Sequence, residues 1–327
     1  EEGPTLARGF VSQDEDWYSP ISEGLALITA DCMAGNDRQC QVAWDYVVGW
    51  AEADALNTPV PRVVNSERFD GVAWMANSVL QPFAFVAALS EQFLDVPFHE
   101  KALVYDWLYD RVNHYNFLTN RVLPQDNINS FARNHAMAAV LPSMTLGVVL
   151  GDRTLFERGE PQFRAALDSM RADGSFPTET VRGSRALHYS GLQLSYLFAM
   201  AEIARAQNTD FYNLQNPQGG DLHRAIEFVA NGWEDWNGVV LPYARDNRGA
   251  PLDPSAPTGT YFEGYFGWLP IYAERFPDHT NIDRLRDLNL DPVVCSDEHI
   301  AQGRSRETWC RTAGGSPLTL QRALLDD

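Results

Sequence analysis

The sequence lacks a run of apolar residues long enough to cross a membrane. Its most apolar segment, HAMAAVLPSMTLGVVLG, begins at His135, is shorter than a membrane span and contains Pro142. No stretch has the charged, apolar and small-residue pattern of a secretion signal. We therefore expect no membrane insertion, and we interpret the apolar segment as a buried helix.

Positive charge is also scarce. The chain has 25 lysines and arginines against 44 acidic side chains, which gives a formal net charge of −19. Such a charge repels nucleic acid and anionic membranes, so we exclude both as partners. An anionic substrate is compatible with it only if a local cluster of arginine, lysine or histidine binds that substrate.

Cysteine is limited to two local pairs, Cys32 with Cys40 and Cys295 with Cys310. Neither pair has the Cys-x-x-Cys spacing of a zinc site, and no cluster of carboxylates resembles a calcium site, so we expect no metal and no cofactor. We favour two local disulfides over free buried thiols, the alternative. Disulfides predict a periplasmic or secreted protein, in which the second pair would connect a C-terminal tail.

Patterns typical of β-strands are few, and GVVLPYA at 238–244 is a weak one. Apolar residues instead recur at three-and-four spacing in roughly nine to eleven segments, which predicts amphipathic helices. Breaks such as NTPVP, LDVP and NPQGGD separate them into hairpins about every 40–50 residues. The sequence therefore predicts an all-α fold, an α/α toroid built as an incomplete barrel of helical hairpins. Since no linker divides the chain, we expect one domain over residues 1–327, with 279–327 as a C-terminal tail packed on it.

One predicted helix has an unusually polar beginning. Arg182, Arg185, His188 and Tyr189 precede or open an otherwise apolar segment, SGLQLSYLFAMAEIA. Residues seven apart share a helix face, so Arg182 and Tyr189 would lie together if the helix began early enough, with Arg185 near that face. Two guanidiniums at a helix N-terminus favour an anion. The alternative is that the arginines are solvated surface charges and the tyrosine is a core aromatic.

A second apolar helix opens with Asn134 and His135. An amide and an imidazole side by side can bind a carboxylate and exchange a proton. The alternative is that Asn134 is a helix cap and that His135 is a buried, hydrogen-bonded residue.

Together these segments resemble the alginate lyases of polysaccharide lyase family 5 and the related polyuronate lyases. The resemblance rests on Asn134-His135, DGSFPTE at 173–179, Arg182 and RALHY at 185–189. Two flanking segments, WDYVVGWAEADAL at 44–56 and FGWLPIYAERFP at 266–277, are also similar to the family, and the whole resemblance covers roughly residues 20–278. Arg133 departs from the Asn-Asn-His form of the motif, and His188 stands where an apolar residue also occurs.

The resemblance implies an α/α toroid that cleaves a 1,4-linked polyuronate, alginate or glucuronan, by metal-independent β-elimination with 4,5-unsaturated ends. It places Asn134, His135, Arg182 and Tyr189 at catalytic positions. Asn134 and Arg182 suit stabilisation of the developing enediolate. We assign Tyr189 as the general acid, and also as the base if the C5 proton and the leaving oxygen depart from the same face of the sugar. If they depart from opposite faces, His135 takes the proton; otherwise it stabilises the carboxylate.

Further side chains suit an anionic polysaccharide substrate, because aromatic rings stack on sugars and guanidiniums pair with carboxylates. The candidates are Arg185, His188, Arg68, Trp74, Arg245, Arg248 and, as the nearest match to a lid tyrosine of the family, Tyr18. For each of them a purely structural role is the alternative. We expect the protein to act as a monomer.

Two other functions are open at this point. A glycoside hydrolase on the same helical fold needs two carboxylates across a cleft, for which Glu179, Glu234, Asp235 and Glu263 are available. A non-catalytic uronate-binding protein is the second alternative. The products distinguish them, since only a lyase creates an unsaturated uronate that absorbs in the near ultraviolet.

Overall fold

The computed structural model describes residues 35–57, 66–122, 133–246 and 268–287, together with Leu252 and a few positions between 21 and 32 that include Cys32. Residues 66–72, 120–122, 270 and 286–287 are described by their backbone alone. Arg68 is therefore placed on a helix without its side chain. Several predicted residues lie outside the described part: Tyr18, Arg248, Glu263, Cys295 and Cys310.

The described chain is helical. Its elements are α1 (Asp37–Glu52), α2 (Ser66–Phe93), α3 (Phe98–Val122), α4 (Asn134–Leu150), α5 (Arg153–Phe156), α6 (Gly159–Ser169), α7 (Pro177–Thr180), a 3-10 turn (Gly183–Arg185), α8 (Ala186–Ala206), α9 (Leu222–Glu234), a π turn (Trp236–Val240), α10 (Trp268–Arg275) and α11 (Thr280–Asp287). No strand occurs among these residues. The segment GVVLPYA, interpreted above as a weak strand, contributes instead to the π turn and the turn after it.

Contacts between residues in space group the chain into two compact units. Among the described residues, the first unit contains those up to 122 together with 138–159, and the second contains 133–137 and those from 160 to 287. The division falls inside α4, after Met137. The single domain over residues 1–327, with 279–327 as its tail, stays a prediction.

The first unit is built on α1, α2 and α3, which pack on one another. Large aromatic side chains fill its core: the ring centroids of Trp50 and Phe83 lie 5.1 Å apart, and those of Phe83 and Trp107 lie 5.5 Å apart. The polar tip of another core aromatic finds an acceptor, since Trp44 Nε1 donates to Glu100 at 2.8 Å. Aromatic burial of this extent gives the unit its main stabilisation.

The first predicted disulfide is confirmed. Cys32 and Cys40, the latter in the first turn of α1, are joined, and both are buried. The second predicted disulfide stays a prediction.

The second unit is organised around α8, which packs against α7, α9 and α10. All residues of α8 from Ala186 to Ala204 are buried except Tyr189. Near the C-terminal end of the same helix, buried Glu202 accepts two hydrogen bonds from Arg275 of α10, at 2.9 and 2.6 Å. It also accepts one from the Tyr212 hydroxyl. Burial raises the pKa of Tyr212, and the Glu202 carboxylate raises it further.

The apolar segment around Pro142 is α4, and its residues from Ala136 to Gly147 are all buried. The helix continues through Pro142 to Leu150. Within the described residues, no helix combines the length and the apolarity that a membrane span needs.

Candidate active site

The motif DGSFPTE forms a tight turn between α6 and α7. Gly174 has a φ of +91°, and a Cβ added there would lie 2.1 Å from the carbonyl oxygen of Arg224. Only glycine fits this combination of a left-handed backbone and a close neighbouring chain. The turn is therefore held against the start of α9.

Asp173 stabilises the same turn. Its Oδ1 accepts hydrogen bonds from the Ser175 amide at 3.0 Å and the Ser175 hydroxyl at 2.7 Å, and its Oδ2 accepts one from the Tyr243 hydroxyl at 2.6 Å. Partial burial by itself would raise the pKa of Asp173, but these hydrogen bonds and the charge of Arg171 outweigh it and lower the pKa. The hydrogen bond to Asp173 in turn raises the pKa of Tyr243.

Arg171 joins the turn to α7. Its guanidinium donates to the hydroxyls of Ser175 and Thr180, both at 2.9 Å, and its Cζ lies 4.1 Å from the centre of the Tyr243 ring. The cation therefore stacks on an aromatic face while it bonds two hydroxyls. These contacts fix α7 relative to the turn.

Glu179 on α7 holds the first residue of α4. It is 1% exposed. Its Oε2 accepts a hydrogen bond from Asn134 Nδ2 at 2.7 Å, and its Oε1 accepts from the Asn134 backbone amide at 3.3 Å and from the Thr178 hydroxyl at 3.0 Å. Asn134 thus opens its helix next to a buried carboxyl group.

Arg182 and Tyr189 meet as the sequence predicts, but by a different route. α8 begins only at Ala186, and Arg182 precedes the 3-10 turn that leads into it. The Arg182 Cζ nevertheless lies 4.1 Å from the centre of the Tyr189 ring. The guanidinium is therefore stacked on the phenol ring, the geometry of a cation–π contact.

Two buried polar atoms at this place have no hydrogen-bond partner within the described part of the chain. They are Asn134 Oδ1 and Arg182 Nε. Buried acceptors and donors are almost always paired in folded proteins, and a bound anion or sugar is a chemically suitable partner for these two atoms.

The other predicted residues lie in different surroundings. His135 is the partly exposed second residue of α4, and Arg185 is the partly exposed last residue of the 3-10 turn. His188 is only 5% exposed, and its ring is edge-on to Tyr189 with the centroids 5.1 Å apart. Arg245 is exposed, its Nη1 donates to the carbonyls of Pro242 and Ala244, and its backbone forms an isolated bridge with Arg182.

Asn134, Arg182, Tyr189 and Arg245 are thus joined through contacts within the second unit. Trp74 belongs to α2 in the first unit and is partly buried. The sequence interpretation did not assign Glu179 to this site, although it considered this residue for a hydrolase. Its position at the end of the DGSFPTE motif was the feature of the sequence that could have assigned Glu179 to this site.

A pocket of about 550 Å³ in the second unit is lined by residues around the starts of α9 and α11 and by Arg171 beside the DGSFPTE turn. Arg224 and Arg284 line it, but each is paired with a carboxylate, Glu227 and Glu234 respectively. None of the predicted catalytic residues lines this pocket. Among the residues the structure describes, no group of three or more His, Cys, Asp or Glu is placed to hold a metal ion.

Comparison with solved structures identifies the fold. The chain is similar to the crystal structure of alginate lyase A1-III from Sphingomonas species A1, with 24% identity, a TM-score of 0.70, and coverage of 93% of this chain and 76% of that one. This likeness confirms the predicted fold class, an all-α α/α toroid.

Comparison of sequences gives the class and the family. A polysaccharide lyase of Stenotrophomonas maltophilia is 26% identical over 285 residues, 84% of this chain and 76% of that protein. An alginate lyase of Pseudomonas paraeruginosa is 26% identical over 233 residues, 70% of this chain and 59% of that protein. The class of protein is therefore polysaccharide lyase.

The alginate lyase family model matches residues 50–237, more than half of the chain. This chain belongs to the alginate lyase family, which confirms the resemblance stated from its motifs. It spans about three fifths to three quarters of the length of the two relatives just described.

Proposed function

We propose that the protein cleaves a 1,4-linked polyuronate by metal-independent β-elimination. The observation that carries the proposal is the stacking of Arg182 on Tyr189, the one residue of buried α8 between Ala186 and Ala204 that is not buried. A phenol at the opening of a buried helix, in contact with a cation, is suited to exchange a proton with a bound anion.

The reaction removes the proton from C5 of the uronate and breaks the bond from C4 to the glycosidic oxygen. The C5–H electrons form the C4=C5 double bond, and the bonding pair of C4–O leaves with the oxygen. In same-face elimination the Tyr189 oxygen takes the C5 proton and delivers a proton to the departing oxygen. In the opposite-face case His135 takes the C5 proton and Tyr189 protonates the leaving group.

Asn134 and Arg182 stabilise the charge that develops on the uronate carboxylate. A neutral amide N–H and a guanidinium fork both donate to an oxyanion, and they act best when they are already oriented. Arg182 Nε has no hydrogen-bond partner among the residues that the structure describes. This buried donor supports the role, since a substrate carboxylate is a suitable acceptor for it.

We propose further that Arg185 and Arg245 bind carboxylates of neighbouring sugar units. His188 supports Tyr189 through its edge-on contact, and its role in substrate binding stays a prediction. Arg68, Trp74, Arg248 and Tyr18 stay predictions as substrate-binding residues.

The substrate we propose is alginate or polymannuronate, with glucuronan as the alternative polymer. Relatives named as alginate lyases support the first choice. We also propose a periplasmic or secreted location, which the Cys32–Cys40 disulfide supports, and a monomer, which sedimentation of the purified protein checks.

The first test is near-ultraviolet absorbance in the presence of a chelator, on separate samples of polymannuronate, polyguluronate and glucuronan. We expect absorbance to rise on one of them, because elimination creates a conjugated unsaturated uronate. A flat trace on all three polymers would reject the lyase proposal for this substrate class.

The second test is Tyr189→Phe, which keeps the ring under Arg182 and removes the hydroxyl. We expect kcat to fall about 100- to 10,000-fold, the range for loss of a general acid or base. Tyr109→Phe is the matched control, because Tyr109 is 42% exposed on α3 in the first unit. Near-normal turnover by Tyr189→Phe would contradict the assignment of this phenol.

The described carboxylates give no support to a glycoside hydrolase. Glu179 accepts hydrogen bonds from Asn134, Glu234 pairs with Arg284 at 2.7 Å, and Asp235 accepts the Gly238 amide at 2.9 Å. Each therefore has a structural partner, whereas the hydrolase needs a free pair across a cleft. A non-catalytic protein would bind uronate oligomers without the absorbance change.

A further inference from the structure

We propose that Glu179 is a positioning residue that fixes the amide orientation of Asn134 for catalysis. The proposal rests on the function proposed above, and it concerns a carboxyl group that the elimination itself does not use. The structure places this group 2.7 Å from Asn134 Nδ2, in the interior of the protein.

The Glu179 carboxyl group acts only as an acceptor in its hydrogen bonds. Its three bonds come from Asn134 Nδ2, the Asn134 backbone amide and the Thr178 hydroxyl. An asparagine amide has a donor side and an acceptor side of almost equal shape, and its neighbours decide which way it faces. Since a carboxylate cannot donate, it selects the orientation in which the NH₂ group of Asn134 faces Glu179.

This orientation determines what Asn134 offers to a substrate. One of its two Nδ2 hydrogens is used by Glu179, so one remains for a uronate oxygen. The Oδ1 atom then faces away from Glu179, and it is the buried acceptor without a partner among the described residues. A sugar hydroxyl can donate to Oδ1 while the carboxylate accepts the remaining N–H.

Glu179 also links Asn134 to the cation of the site. Its backbone carbonyl accepts the Arg182 amide at 3.2 Å. One residue therefore connects the start of α4 with Arg182, although Asn134 and Glu179 are 45 residues apart in the sequence. Oriented donors lower the free energy of the transition state because no reorientation is needed during the reaction.

The test is Glu179→Gln, which keeps the shape of the side chain and introduces a group that both donates and accepts. We expect kcat to fall at least about 10-fold with KM within about 3-fold, because oriented donors act mainly in the transition state. Thr178→Val is the matched control. It removes one donor to Glu179 and leaves both Asn134 bonds, so kcat should stay within about 3-fold of the wild type.

A double-mutant cycle separates positioning from a general structural effect. If Glu179 acts through Asn134, adding Glu179→Gln to Asn134→Ala should lower kcat less than 2-fold further. Full additivity of the two losses would overturn the proposal. Thermal unfolding of every variant checks that the fold is intact.

A readout without activity keeps the test independent of the proposed function. In protein labelled with ¹⁵N on asparagine, the side-chain NH₂ signals of Asn134 are identified by their absence in Asn134→Ala. We expect those two signals to shift and exchange faster with water in Glu179→Gln. Unchanged signals would overturn the positioning role, whereas an inactive wild type with the expected shift would reject only the lyase proposal.

Discussion

At the scale of single residues, Gly174 is the position where the backbone of the DGSFPTE turn tolerates no side chain. Gly174→Ala combines an unfavourable φ of +91° with a Cβ 2.1 Å from the Arg224 carbonyl oxygen. We expect the free energy of unfolding to fall by at least about 1–3 kcal/mol, the cost of a non-glycine residue held in such a conformation. Urea unfolding measures it.

Gly219→Ala is the matched control for that substitution. Gly219 also has a positive φ, +78°, but a Cβ there meets no atom within 4 Å. The decrease in the free energy of unfolding caused by Gly219→Ala should therefore reflect backbone strain alone. We expect it to be smaller than the decrease caused by Gly174→Ala. Equal losses would mean that the contact with Arg224 contributes nothing.

The catalytic candidates could be predicted at this scale because they come from short motifs. Asn134, Arg182 and Tyr189 stand in a recognisable order, and the contact of Arg182 with Tyr189 needs only seven residues of chain. The bond from Asn134 to Glu179 could not be predicted, since 45 residues separate them and only the folded chain brings the first residue of α4 next to α7. The bridge between Arg182 and Arg245 was missed for the same reason.

At the scale of helices, a buried ion pair connects α8 with α10. Arg275→Met removes the closer charge partner of the Glu202 carboxylate, whose side chain is 1% exposed, and leaves the longer ion pair with Arg205 at 3.7 Å. We expect the free energy of unfolding to fall by about 3–5 kcal/mol, as is usual when one member of a buried pair is removed. Urea unfolding at neutral pH measures this change.

Arg164→Met provides the comparison on an exposed helix. Arg164 pairs with Glu160 one turn away on α6, and the two side chains are 47% and 45% exposed. Exposed pairs of this kind contribute less than about 1 kcal/mol. If Arg275→Met lowers the free energy of unfolding no more than Arg164→Met does, burial does not strengthen the ion pair between Arg275 and Glu202.

Helices with one apolar face, such as α9, are recognisable from spacing, whereas α4 and α8 are apolar on most sides. A helix that is apolar all round gives no periodic signal, so its boundaries and orientation depend on neighbouring elements. The start of α8 illustrates this limit, because a 3-10 turn, not the helix itself, contains Arg185. The π turn at Trp236–Val240 replaced the predicted weak strand.

At the scale of the whole molecule, the Cys32–Cys40 disulfide closes a loop of sequence separation 8 before the core of the first unit. Replacing both cysteines by serine should lower the free energy of unfolding by roughly 2–3 kcal/mol, the loop-entropy value for a short loop. Urea unfolding of the variant against the wild type, without reductant, measures it.

Reductant provides the control for the disulfide. Reductant should lower the free energy of unfolding of the wild type more than that of the double serine variant. The difference between the two decreases is the contribution of the Cys32–Cys40 disulfide. An identical effect of reductant on both proteins would contradict a contribution of this bond. Any effect that remains in the variant tests the predicted bond between Cys295 and Cys310.

The fold class could be predicted from helical hairpins and from the motifs, because both extend over most of the chain. The grouping into two compact units could not, since its boundary falls after Met137 in the interior of α4. No composition change or linker marks a boundary that lies within a continuous helix.

The burial of α8 has a consequence for how the site is lost. Beyond its first turn, the backbone amides of α8 are hydrogen-bonded within the helix, and the residues on both sides of Tyr189 are buried. Amide protons in such a helix exchange with solvent only through cooperative opening of the structure around it. We therefore expect the surroundings of Tyr189 to be lost together with this cooperative unit, so that thermal inactivation follows its melting.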